Sequence, residues 1–431
     1  MSKLYRGAAS VLIVAAFSGT AIAAPCGEPT STTSVIVPGA PLTLHAVMAE
    51  ISNASPQVRR AALETKARQA EVNQAGRRLN PVVNLEFENF AGSGALSGFG
   101  QSETTLSFAQ TFELGNKRSL RREAASAAAS LAVAECGAIL RQSQLEAAAL
   151  FFDLEASLRV AEFANDSARL AEELVQIVTK RVNAGAAAPP ELSRVKADAA
   201  ALKAASEQAK AQSLRLRFEL AGLWGNPNPQ FAEPIVEQIS LQGNDVLGLK
   251  NLRDHPKVIM ALAQEDVSEA VKDLAKSAAI PDVTLSAGVR RFDESNENAF
   301  LLGVSVPFPI FDKKRDAVTA AGFRIQAEAL NRQAVEADLL SQHNAARIEL
   351  QSVRKQLDVL ETEALSEARA AYEASIKGYQ AGKFDLTTTL DTRKNLIEAG
   401  IAVINATRNV QIQDMKLRSL TGASPFTGDI Q

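Results

Sequence analysis

Val83-Asn84-Leu85-Glu86-Phe87-Glu88 alternates apolar and polar side chains without a break, and Val283-Thr284-Leu285-Ser286-Ala287-Gly288-Val289-Arg290 alternates 200 positions later. A period of two marks a strand whose two faces meet different surroundings. Val83, Leu85, Phe87, Val283, Leu285 and Val289 form one face and suit lipid. Asn84, Glu86, Glu88, Thr284, Ser286 and Arg290 form the other and want water. A loop follows each run, at residues 92–100 and 293–298. Second strands are expected at 104–112 and 300–308, with Leu106 and Phe108, then Leu302, Val304 and Val306, on one face. The chain therefore carries two hairpins (about 81–113 and 281–309) of strands about ten residues long, enough to cross a bilayer when tilted.

The hairpins belong to a larger repeat. Ser55-Pro56-Gln57-Val58 returns as His255-Pro256-Lys257-Val258, Ala184-Gly185 as Ala381-Gly382, and Leu220-Ala221-Gly222 as Leu420-Thr421-Gly422. Anchors in one order at nearly one spacing mean two copies of a single unit. In each copy a helix opens on Pro56 or Pro256, with Ser55 or Asp254 as the expected cap, and stops before Pro81 or Pro281. After each hairpin a helical pattern runs from Lys117 to about Val182 and from Lys313 to about Tyr379. Each is on the order of 100 Å long. A second helix returns from Pro190 or Asp385. Helices this long cannot fold around one compact core and must pair side by side.

Composition agrees. Of 431 residues, 46% are hydrophobic and only 5% aromatic, and alanine crowds residues 124–134 and 197–211, favouring close helix contact. The formal charge of −3 offers no basic excess for nucleic acid. Lys3 and Arg6, an apolar core and Ala21-Ile22-Ala23 make a cleavable signal peptide over 1–23. The expected layout is a tail at 24–42, a first repeat at 43–225, a linker or equatorial segment at 226–245, a second repeat at 246–423 and a tail at 424–431. No later segment reads as a transmembrane helix, so membrane entry has to be by strands. Four strands are too few for a barrel, the smallest of which has about eight, so several chains have to share one. Phe90, Phe112, Phe292, Phe300 and Phe308 sit near strand ends, where aromatic girdles belong.

The doubled unit resembles the TolC family of outer-membrane efflux channels over essentially the whole mature chain. Gln110-Thr111-Phe112-Glu113-Leu114-Gly115-Asn116-Lys117-Arg118 and Val304-Ser305-Val306-Pro307-Phe308-Pro309-Ile310-Phe311-Asp312 resemble its cobalt–zinc–cadmium (CzcC-like) branch. The resemblance implies a mainly α fold with membrane β: a long α-helical barrel plus a 12-stranded β-barrel shared in a homotrimer. It also implies outer-membrane localisation, a long periplasmic part, and docking to a periplasmic adaptor and an inner-membrane RND-type, proton-driven pump. The channel would be a passive exit duct, with heavy-metal cations as the expected cargo. A drug-efflux or type I secretion channel of the same family is the alternative. A periplasmic coiled-coil protein without a pore is the alternative from another class, although a duplicated strand pair of bilayer length has no place in it.

Few residues point to chemistry. The glycine-rich loop at 92–100 lacks a Lys-Ser/Thr ending and precedes a strand, so it is no phosphate cradle. His45, His255 and His343 have no ligand spacing, and no metal, cofactor or enzymatic activity is expected. Cys26 follows the cleavage site, but Pro25 occupies a place where lipid attachment wants a small residue. A Cys26–Cys136 disulfide, within or between chains, and free thiols are the remaining expectations. In the resembling family the two helix-to-helix breaks close the periplasmic mouth. Glu191 stands at its acidic gate position, Tyr379 at the tyrosine that pairs with it, and Asp391 at one of two ring-forming aspartates. Thr388 stands at the other. Phe384 occupies the place of an expected arginine, so part of that bonding set is missing. Asp385 and Glu191, near helix starts, equally suit plain capping.

Overall fold

The computed structural model describes residue 26, residues 36–236 and residues 252–421. The signal-peptide and C-terminal-tail expectations, and residues 237–245 of the linker, lie outside the described residues. In chain order the elements are β1 (Leu42–Thr43), α1 (Leu44–Ala54), α2 (Pro56–Ala75), β2 (Val82–Glu88), β3 (Glu103–Phe112), α3 (Lys117–Asn183), α4 (Pro189–Gly222), β4 (Pro234–Ile235), α5 (Pro256–Ser277), β5 (Val283–Phe292), β6 (Glu297–Ser305), α6 (Arg315–Val359), α7 (Leu365–Gln380) and α8 (Leu386–Leu420).

The two hairpins join into one antiparallel sheet in the order β2-β3-β5-β6. Its register aligns the side chains of each face in rows across the strands. Leu85, Leu106, Val289 and Phe300 stand opposite one another across all four strands. The adjacent row on the other face is Glu86, Thr105, Arg290 and Ala299. The Arg290 guanidinium ties three strands together, reaching Glu88 at 2.9 Å, Glu103 at 2.8 Å and Thr105 at 2.9 Å. The outer edges of β2 and β6 carry no partner strand within the described chain. β6 starts and stops earlier than expected. Asn296 adopts a left-handed φ of 53° and tightens the turn. Pro307 and Pro309 lack N–H donors, so the ladder ends at Ser305.

The helices follow the expected plan with five differences, the first being that Ser55 precedes α2 without a side-chain capping bond. Helix α2 stops at Ala75, where Arg121 donates to the Ala75 carbonyl at 2.9 Å and the Arg77 carbonyl at 3.1 Å. Helix α5 is capped by His255 rather than Asp254: Nδ1 accepts from the Lys257 N–H at 3.2 Å. That bond needs a neutral imidazole, and burial, then Arg141 and Lys257, hold the His255 pKa down to about 4. The second long helix is not continuous, because a π turn at Leu360–Ala364 separates α6 from α7. Finally, α3 contains an 18-residue window of mean hydropathy 1.3, long and apolar enough to cross a membrane by length and composition alone. This corrects the expectation of no such segment. Alanine raises its hydropathy, and the helix packs against α2, α4, α5 and α8.

The core is divided along the rod. Phe151 and Phe152 of α3 meet Leu42, Ile51, Leu220, Trp224 and Phe231 at one level. There β1 and β4 pair in parallel, Leu42 opposite Pro234. Val258, Leu339, Leu350 and Val410 pack α5, α6 and α8 at another. A third cluster, Leu174, Val178, Val195, Tyr379, Leu386 and Leu390, lies at the two helical tips. Cys136, fully buried on α3, is disulfide-bonded to Cys26, with Cα atoms 6.0 Å apart.

Candidate functional site

Each helical tip is built by the same backbone device. Gly185 and Gly382 both take φ 71°, a left-handed conformation that glycine adopts without a Cβ clash. At the first tip Gly185 N–H donates to the Val182 carbonyl at 3.0 Å and Ala186 N–H to Arg181 at 2.8 Å. At the second, Gly382 N–H donates to Tyr379 at 3.0 Å and Lys383 N–H to Gly378 at 2.8 Å. The repeat thus makes two equivalent turns, and different side chains then hang on equivalent positions.

Those side chains bolt the tips together. Tyr379, at 2% exposure, donates its hydroxyl to Glu191 Oε2 at 3.0 Å. The other Glu191 oxygen accepts from the Ala188 N–H at 3.4 Å, so Glu191 caps α4 and holds Tyr379 at once. Burial and then Glu191 push the Tyr379 phenol up to about 12, which leaves it a donor throughout the physiological range. Arg181, in the last turn of α3, lies 4.6 Å over the Tyr379 ring. Its guanidinium also donates to the Tyr379 carbonyl, to Gln380 O at 3.5 Å and to Ala186 O at 3.1 Å. Arg194 Nη1 adds a bond to Thr387 Oγ1 at 3.0 Å, and buried Arg393 pairs with Asp198.

Among the expected gate residues, Glu191 and Tyr379 meet, and Thr388 and Asp391 do not join them. Both lie exposed on α8. Thr388 gives its N–H to the Asp385 carboxylate at 2.8 Å, which makes Asp385 the α8 N-cap. Among the described residues the Asp391 carboxylate has no bonding partner. Phe384 does not reach the site as a polar group. Its ring lies over Gly378, where a Cβ would overlap it. Arg181, Arg194 and the Arg393–Asp198 pair are missing from the sequence reading. Arg181 left one signal, a cation in the last helical turn before a glycine stop, where it can satisfy free carbonyls. On the sheet, Asn84, Glu86, Thr284, Ser286 and Arg290 share one face, and Glu88 joins it through Arg290.

Comparisons place this architecture. The chain matches the model of the family described as Outer membrane efflux protein over residues 47–226 and 250–423. It is 29% identical over 367 residues to the cobalt-zinc-cadmium resistance protein CzcC of Cupriavidus metallidurans, covering 84% of this chain and 85% of that one. It is 28% identical over 314 residues to the nickel and cobalt resistance protein CnrC of the same organism, covering 72% and 69%. Among solved structures, the outer membrane protein VceC of Vibrio cholerae superimposes with a TM-score of 0.73 at 21% identity, covering 88% of this chain and 96% of that one. With the strand sheet, the paired long helices and the family match over both repeats, the chain belongs to the outer membrane efflux protein family: it is an outer-membrane efflux channel with a long periplasmic part, a passive duct and not an enzyme.

Proposed function

We propose that three copies of this chain form the outer-membrane duct of a tripartite metal-efflux system, fed by a periplasmic adaptor and an RND-type inner-membrane pump. The observation that carries the reading is the open-edged four-stranded sheet. Backbone groups at the β2 and β6 edges need partners in lipid, and a closed ring of neighbouring sheets supplies them. Each repeat, 43–225 and 246–423, contributes one hairpin. The face with Asn84, Glu86, Glu88, Thr284, Ser286 and Arg290 then lines a wet lumen. Heavy-metal cations are the cargo suggested by the names of CzcC and CnrC. Among the described residues no His, Cys, Asp and Glu cluster could hold a metal ion, and selection rests with the pump. Removing this chain from cells that retain the pump and adaptor is expected to lower tolerance to cobalt, zinc or cadmium. Loss of drug tolerance alone would replace the metal reading with a drug-efflux one.

The tips are the proposed periplasmic gate. Tyr379, held by Glu191 and by Arg181, sets the resting position of one hairpin against the other, and Asp391 adds a ring of three carboxylates by symmetry. A hydrogen bond worth about 1 kcal/mol shifts a two-state balance about fivefold. Tyr379→Phe is expected to raise open-state occupancy in planar bilayers by about that factor, and Arg181→Ala, which removes three hydrogen bonds and the ring contact, by at least as much. Asp391→Asn is expected to lower cation selectivity with conductance nearly unchanged. Gating unchanged from wild type in Tyr379→Phe and Arg181→Ala would leave the tip contacts merely structural.

A further inference from the structure

The foot of the sheet, where strands give way to helices, carries a charge pattern that the duct does not use. At three of its four junctions a large exposed apolar residue lies on the barrel side and cations lie on the periplasmic side. Leu79 is preceded by Arg77 and Arg78, Phe112 is followed by Arg118 and Arg122, and Phe311 is followed by Lys313 and Arg315. The six cations are exposed and form no ion pair among the described residues. Their neighbours are already matched: Lys117 binds Asp282 at 2.7 Å, Arg121 binds Glu113, and Lys314 binds Asp312. At the fourth junction Ile280 keeps the apolar place, and Lys276 is paired with Asp273.

The apolar half of the pattern is pronounced. Phe308 is 84% exposed, Ile310 61% and Phe311 98%, on a segment that Pro307 and Pro309 hold out of the ladder. Side chains left bare at a strand end belong at the boundary of the acyl chains. The cations then stand one step further out, at headgroup depth. The opposite end of the same strands is acidic. Glu88, Glu103, Asp293, Glu294 and Glu297 outnumber Arg290 and Arg291 there. A chain of net charge −3 has thus gathered unpaired cations at one membrane boundary only.

We infer that Arg77, Arg78, Arg118, Arg122, Lys313 and Arg315 form a collar that binds the phosphates of anionic phospholipids in the periplasmic leaflet. α2 packs on α3, α3 on α5 and α5 on α6, so the three basic junctions span the width of the chain. Guanidinium groups suit phosphate because they can donate two parallel bonds. The neighbouring apolar side chains fix the depth at which those bonds form.

The test carries the full-length protein into nanodiscs of phosphatidylcholine with a minority of phosphatidylglycerol, then counts the retained lipid by native mass spectrometry. Near-surface cations support an enrichment of phosphatidylglycerol of roughly fivefold over the bulk mixture. That enrichment is expected to vanish in high salt and in a variant with all six cations changed to Gln. The smaller variant Arg77→Gln, Arg78→Gln is expected to lose part of it, and assembly in pure phosphatidylcholine is expected to be unaffected. Neutralising Arg159, Arg169 and Arg215, far along the helices, should leave the enrichment intact. Equal enrichment in wild type and collar variants would overturn the proposal. So would collar variants that fail to assemble in pure phosphatidylcholine, because the cations would then serve contacts between copies.

Discussion

Arginine in place of Leu106 is expected to destabilise the assembled barrel by about 2–4 kcal/mol per chain, while arginine in place of Ser107 leaves it nearly unchanged. The two residues are adjacent on β3 and near its middle, so depth in the bilayer is the same. Only the face differs. Leu106 stands opposite Leu85 and Val289, and Phe300 extends that row to the sheet edge. A guanidinium there is driven into hydrocarbon with no acceptor in reach. Ser107 stands opposite Asn84 and Gly288, on the face that carries Glu86 and Arg290. An arginine there meets water and small neighbours. Refolding into vesicles from urea, followed by the heat resistance of the assembled band on gels, reads both variants. Destabilisation by Ser107→Arg and tolerance of Leu106→Arg would invert the faces and put the apolar row in the lumen.

Loss of the Cys26–Cys136 bond is the second large effect. The bond closes a loop with a sequence separation of 110. In the chain-entropy account a loop of that size contributes about 4–5 kcal/mol by restricting the unfolded chain. Cys136 is fully buried among alanine neighbours on α3, so Cys136→Ala keeps an apolar side chain there and isolates the cross-link. Chemical unfolding of the oxidised protein is expected to need clearly more denaturant than that of Cys136→Ala or of the reduced wild type. The gating of the tips should not change, because the bond ties the N-terminal tail to α3 far from Gly185. Free thiols at both positions in the mass spectrum of the exported protein would remove the effect and its cause.

The strands and their phase were legible because period two is local. Val83-Asn84-Leu85-Glu86-Phe87-Glu88 names its two faces without knowing its neighbours, and the duplication supplies the second hairpin. The tips were legible for a related reason. A glycine between two long helical patterns marks a stop, and both glycines prove left-handed. Pro307 ends the β6 ladder at Ser305, although side-chain alternation continues to Phe308 after the ladder has lost its donors. Asp254 had the right chemistry for a cap, yet His255 took the role because the chain geometry brings its Nδ1 to the Lys257 N–H.

The amino-acid sequence by itself determined the duplicated unit, the membrane-spanning hairpins, the paired long helices and the turn glycines, each set by periodicity or by backbone conformational freedom over a few residues. Tertiary structure alone decided the joining of the hairpins through β3 and β5, the π turn at Leu360–Ala364, and the bolting of the tips by Arg181. Arg181 and Tyr379 are separated by 198 positions. No local pattern can say that a cation ending one helix will lie over a ring ending another. That contact exists only once α3, α4, α7 and α8 are packed, since its energy depends on the distance between groups and on their burial.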